Sequence, residues 1–338
     1  MLGSHMDTYS PAYSMDRYPR NYIPDGAPKD IERLIHTRGG IIGQDAAVRA
    51  ASLIVYTHYE GRPSVSLFVG PTGCGKTEIW RALQKEYSAD NIVIHDASTL
   101  SAEGWKGGNK ISSIFRDIPP DRRGNVILVM DEFDKLLEPM YGSGGCNYSD
   151  LLQNQLLRLC DHDKLFFGSE DSRERGISVD CSGVSVVLLG AFERLYQRKS
   201  QKQKRIGFLQ DTEPEESAIM PEISVEDLIA YGMRAELAGR INRIVCMEPL
   251  DADALAHIGQ AYVDKLVHKM QCGVEIDPSA LIMLARIAQE KGLGARWIKS
   301  RIDLMLDDMI YDDPEAECYR IEYEPPDADV RRQAACMG

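Results

Sequence analysis

Apolar residues fall into two textures along this chain. Between residues 31 and 250, short apolar runs rich in β-branched residues alternate with stretches of helical spacing. The runs are Val65-Ser66-Leu67-Phe68-Val69, Ile92-Val93-Ile94, Val126 to Met130 and Val184 to Leu189. Short runs of this kind read as strands buried on both faces, so the pattern predicts a parallel sheet wrapped by helices. Ile31 to Glu60 has helical periodicity, broken at Gly39-Gly40. From Asp251 onward the spacing changes. Leu255, Ile258, Tyr262, Leu266 and Met270 recur every three or four residues, the stripe of an amphipathic helix, and are read as ordinary core. Asp277-Pro278 supplies an N-cap followed by proline at the first helical position. Another helix is expected after Gly294, and Cys318 to Tyr323 alternates like a strand. The predicted organisation is a tail over 1–27, a large α/β domain over 28–250, a smaller and mostly helical domain over 251–325, and a second tail over 326–338.

Composition narrows the picture. The 338 residues carry a formal charge of −13, which disfavours a nucleic-acid-coating role, since phosphate binding needs a basic face. No run is long and apolar enough for a membrane span, and nothing resembles a signal peptide. Met1-Leu2-Gly3-Ser4-His5-Met6 reads as an appended expression scar, so the natural start is expected elsewhere. The eight cysteines form no C-x-x-C pair and have irregular spacing. That argues against zinc and against a disulfide framework, and for a reducing, cytoplasmic compartment.

The chemistry sits at the first strand. Gly70-Pro71-Thr72-Gly73-Cys74-Gly75-Lys76-Thr77 matches G-x-x-x-x-G-K-[ST] and lies between a predicted strand and a predicted helix. Glycines let backbone N–H groups turn inward around phosphate oxygens, the lysine reaches the terminal phosphates, and the Thr77 hydroxyl is suited to Mg²⁺. Some 50 residues on, the apolar run ending at Met130 delivers Asp131 and Glu132. In a doubly wound sheet these carboxylates fall beside the phosphate loop, with Asp131 in the Mg²⁺ shell and Glu132 orienting the attacking water. ATP and Mg²⁺ are the expected ligands. Cys74 lies near Lys76 and a helix N-terminus, both of which favour thiolate. It is read first as a small residue that fits, and second as a thiol whose alkylation blocks ATP binding.

With these motifs in view, the chain from about Gly40 to Tyr323 resembles the AAA+ protein unfoldase ClpX, and more loosely its relative HslU. The resemblance implies a P-loop AAA+ large domain and a helical small domain, assembled as a homo-oligomeric, hexameric ring. It implies that Ile41 and Ile42, in Ile41-Ile42-Gly43-Gln44, pack on adenine, and that Pro71 to Thr77 hold the nucleotide. Arg240, in Gly239-Arg240, matches the family's arginine finger, which acts on the neighbouring subunit. Arg296, in Gly292-Leu293-Gly294-Ala295-Arg296, matches sensor 2. Trp105 and Lys106, in Gly104-Trp105-Lys106-Gly107, fall where the family grips polypeptide in its pore. Ile206-Gly207-Phe208 falls where ClpX docks on a ClpP-type peptidase.

The chain also departs from the family. Lys106 replaces an aliphatic pore residue, and the run Arg198 to Arg205 is basic where family loops are glycine-rich. The strand Val184 to Leu189 leads into Gly190-Ala191-Phe192, which offers no polar sensor 1 side chain. Arg173 and Arg175 do not complete the basic pore triplet, and the cysteine-rich zinc segment that precedes the family's motor does not occur. The sequence leaves open an unfoldase feeding a peptidase, a remodelling chaperone that releases its clients, a nucleic-acid motor or loader, and an idle structural subunit.

Overall fold

The computed structural model describes residues 27–101, 110–141, 147–167, 176–199, 222–270 and 272–322. Two helices come first, α1 (Pro28–Thr37) and α2 (Asp45–Tyr59), parted at the predicted Gly39-Gly40 break. Then follow β1 (Val65–Val69), α3 (Lys76–Tyr87), β2 (Ile92–Asp96), α4 (Ile111–Asp117), β3 (Ile127–Asp131), α5 (Phe133–Leu136) and α6 (Tyr148–Cys160). A short hairpin, β4 (Lys164–Phe167) and β5 (Ile177–Asp180), precedes β6 (Ser185–Gly190), a helix α7 over 193–199, α8 (Val225–Tyr231), α9 (Ala235–Ala238) and β7 (Arg243–Cys246).

Five strands form one parallel sheet in the order β2-β3-β6-β1-β7. The apolar character of the central strands β1, β3 and β6 has a direct cause. Leu67, Val69, Leu128, Met130, Val186 and Leu188 enter the core on one face, while Phe68, Ile127, Val129, Val187 and Leu189 enter the core on the other. Side chains alternate across a strand, and here both faces are covered by helices. Phe68 of β1 meets Trp80 of α3 edge to face, with ring centroids 5.6 Å apart and an interplanar angle of 89°. Both rings are fully buried, and a contact of this kind adds about 1 kcal/mol beyond area burial. It fixes α3 against β1, and so fixes the loop between them.

A third core gathers residues from Leu250 to Ile321. It is built by α10 (Ala252–Met270), β8 (Gly273–Ile276), α11 (Pro278–Glu290), α12 (Ala295–Asp312) and β9 (Cys318–Ile321), with β8 and β9 parallel. The predicted cap at Asp277 is present: its Oδ1 accepts from Ser279 N at 2.8 Å and Ala280 N at 3.4 Å. The predicted strand at Cys318 is present as well. Strands β4, β5, β7 and β8 were not anticipated. Each spans only four residues, too short for a periodic signal to separate from loop. No described helix is long and apolar enough to cross a membrane.

Candidate nucleotide site

In a parallel α/β sheet, ligands bind beyond the carboxyl ends of the strands. Here β1, β3 and β6 end at Val69, Asp131 and Gly190. Gly70 N donates to Gly190 O at 3.3 Å, which ties the start of the phosphate loop to the end of β6. Gly73 and Gly75 take φ values of +82° and +103°, in the region open to glycine at little cost. That turns the loop back on itself and starts α3 at Lys76.

Lys76 is buried and folds into its own loop. Its Nζ donates to Gly70 O at 2.6 Å and to Pro71 O at 2.9 Å. Two carbonyls therefore hold the ammonium where terminal phosphates would replace them. Thr77 Oγ1 donates to Asp131 Oδ2 at 2.7 Å, joining the helix after the loop to the end of β3. Asp131 Oδ1 accepts from Glu132 N at 3.0 Å. Glu132 is exposed, with φ at +54°, as the chain leaves the strand. A hydroxyl paired with a carboxylate is a hard-oxygen donor set, and it suits Mg²⁺, which takes one or two protein oxygens and completes its shell with water and phosphate. Among the described residues, no group of three or more His, Cys, Asp or Glu side chains is placed to hold a metal.

A cleft of about 320 Å³ lies between the loop and the third core. One wall contains Gly39 to Ile42 and Gly73 to Thr77; the other contains Leu250, Ile258, Tyr262, Lys265, Arg296 and Lys299. Ile41 and Ile42 thus line it as expected. So do Gly73, Cys74, Gly75, Lys76, Thr77 and Arg296, whereas Pro71 and Thr72 lie outside its lining. His36 Nδ1 lies 2.9 Å from Ile41 O and braces that wall. Ile258 and Tyr262, expected as core, pack against the third core and also line the cleft. The Tyr262 hydroxyl donates to Asp303 at 2.6 Å, and the Lys299 ammonium lies 5.9 Å from the ring centroid.

The chain leaves β6 through Gly190-Ala191-Phe192 and reaches Glu193. Thr72 Oγ1 donates to Glu193 Oε1 at 3.1 Å, linking the tip of the phosphate loop to the start of α7. Of the two readings of Cys74, burial favours the first, a small residue that fits. The side chain is buried, and burial pushes the thiol upward more strongly than Lys76 draws it down. Desolvation disfavours the anion even beside an ammonium. Cys74 fills space under the loop.

Arg240 does not line the cleft of its own chain; its Nε pairs with Asp161 at the end of α6. Trp105, Lys106, Arg173, Arg175, Ile206, Gly207 and Phe208 lie outside the described residues.

Residues 66–201 match the family model described as "ATPase family associated with various cellular activities (AAA)". Two relatives named ATP-dependent Clp protease ATP-binding subunit ClpX align over most of the chain. That of Porphyromonas gingivalis is 26% identical, covering 87% of this chain and 80% of the relative. ClpX 3 of Methylococcus capsulatus is 28% identical, covering 82% of this chain and 74% of its own length. This chain is similar to ClpX-type AAA+ ATPases. ClpX 2 of Wolinella succinogenes, at 25% identity over 88% of this chain, belongs to the same set. The fold agrees: a parallel sheet flanked by helices carries the phosphate loop, and a helical unit follows it. Nucleotide binding and ATP hydrolysis are therefore this ATPase's basic activity.

Proposed function

We propose that this ATPase is a protein unfoldase and translocase that works as a homo-oligomeric, hexameric ring. The observation that carries the reading is the separation of Arg240 from its own cleft. An arginine on the phosphate-loop domain, outside its own nucleotide site, suits a neighbour's site, and closed rings are the assemblies in which every subunit can serve the next.

In this mechanism ATP lies in the cleft with its base between Ile41, Ile42 and the Tyr262 wall. Lys76 exchanges the carbonyls of Gly70 and Pro71 for terminal phosphate oxygens. Thr77 and Asp131 would hold Mg²⁺, which would supply neutralising charge to the phosphates. Glu132 orients water in line with the phosphoryl group, and the neighbour's Arg240 stabilises the charge that develops as that group leaves. Arg296, on α12, transmits nucleotide state to a small domain over 251–325 that moves relative to the large domain over 28–250. That motion would drive Trp105 and Lys106 along the axis and pull polypeptide through, with Ile206-Gly207-Phe208 docking a ClpP-type peptidase. We place this activity in the cytoplasm, without a membrane or nucleic-acid partner.

ATP-driven unfolding of a tagged fluorescent protein, run with and without a ClpP-type peptidase, is the test. Loss of fluorescence that needs ATP and the tag supports the unfoldase; degradation only with peptidase, lost in Phe208→Ala, supports the docking tripeptide. Unfolding with no peptidase effect leaves a remodelling chaperone. ATPase activity stimulated by DNA and not by polypeptide would overturn the proposal.

A further inference from the structure

Arg240 is anchored by α6 at both ends of its segment. Gln153, fully buried in α6, donates from Nε2 to Gly232 O at 3.0 Å and accepts at Oε1 from Arg234 N at 2.7 Å. About two turns further along the helix, Asp161 meets Arg240 Nε. Between these grips runs α9, with Leu237 and Ala238 buried, and Arg240 N donates to Leu237 O at 3.0 Å. The backbone of the segment is therefore held on one side by a single helix.

The side-chain contact is selective. Asp161 takes only the Nε edge of the guanidinium, and none of the described residues accepts from Nη1 or Nη2. A guanidinium is a planar fork with five N–H donors, so one edge can bind a carboxylate while the other meets a phosphate. The Arg240 side chain is 47% exposed, which leaves that outer edge accessible. Helix stability does not account for Asp161. It is the C-cap of α6, where the helix macrodipole disfavours a carboxylate.

We propose that Asp161 is a positioning residue for Arg240: it holds the guanidinium by its Nε edge so that both terminal nitrogens are presented to the phosphoryl group in the adjoining subunit. The proposal rests on the reading that Arg240 acts in trans. A long side chain fixed before the transition state forms need not be ordered during the reaction, so the gain falls on kcat. Binding of ATP, made by the cleft of the other subunit, is untouched.

The test measures kcat and KM for ATP in the full chain, with assembly followed by sedimentation. Asp161→Ala should lower kcat about tenfold with KM unchanged and assembly retained. Asp161→Asn, whose Oδ1 still accepts from Nε, should recover part of the loss and covers the case in which alanine disturbs α6. In an Arg240→Ala background, Asp161→Ala should cost nothing further, because the group it positions is gone. An unchanged kcat in Asp161→Ala, or an equal loss in both backgrounds, overturns the proposal. Full turnover by Arg240→Ala alone removes the trans-arginine reading itself, and the proposal with it.

Discussion

Gly73 of the phosphate loop and Gly294 at the start of α12 pack backbone against backbone. A β-carbon on Gly294 would fall 2.7 Å from Gly73 Cα and 2.8 Å from Gly73 O, inside the separation at which carbon atoms attract. The obstructing atoms are main chain and cannot rotate away. The helix that carries Arg296 thus rests directly on the glycine-rich loop, main chain against main chain.

Gly294→Ala should therefore separate α12 from the loop while leaving each core intact. The expected effect is nucleotide binding weakened about tenfold, near 1.4 kcal/mol, read by titration with a fluorescent nucleotide. Affinity equal to the parent's would mean that the close packing plays no part in the site.

Thr77 and Asp131 act as one unit through their 2.7 Å hydrogen bond. Thr77→Ala and Asp131→Asn should each lower ATP turnover by about a hundredfold. The double variant should be little worse than either single one, because residues sharing one function are not additive. Measured kcat values that multiply across the double variant would contradict the shared role.

How much of this was legible in the sequence depended on separation along the chain. The phosphate loop and Asp131-Glu132 are contiguous motifs, and the strands that carry them are mostly apolar because both sheet faces are covered. The bond from Thr72 to Glu193 and the pair of Asp161 with Arg240 bridge residues 121 and 79 positions apart, and no local pattern encodes such meetings. Tyr262 followed the helical stripe of its neighbours Leu255 and Leu266, so its spacing signalled core. Only the packing of the third core against the phosphate loop turns it toward the cleft. Cys74 shows the same limit: its neighbours in sequence favour thiolate, whereas its neighbours in space remove water.

His58 predicts part of the response to acid. It is buried on α2, with Nδ1 3.0 Å from Ser185 Oγ, and burial lowers its pKa from 6.5 to about 4. The folded protein therefore keeps the ring neutral where the unfolded chain protonates it. This contribution to stability is complete above pH 6.5 and is lost progressively as pH falls toward 4. Between pH 7 and pH 5 the loss should be about 2 kcal/mol, seen as a falling urea midpoint. His58→Gln should flatten that slope. An unchanged slope in the variant would show that His58 is not responsible.

The buried Cys74 should react slowly. With its thiol raised by desolvation, alkylation at neutral pH should label exposed Cys318 first, by a margin of about tenfold in rate. Peptide mass mapping over a time course would measure this. Equal rates at the two positions would mean that the loop opens readily or that the thiolate is stabilised after all.

The central claim is that hydrolysis takes place at a seam shared by two subunits, and complementation between disabled chains tests it most directly. Glu132→Gln subunits keep Arg240 but cannot orient water; Arg240→Ala subunits keep an intact cleft but give nothing to the neighbour. Each should be nearly inactive alone, and mixing them should restore ATP turnover, because sites with a working Glu132 then meet a neighbour's Arg240. Mixed assemblies as inactive as their parents, or Arg240→Ala active by itself, would contradict the account.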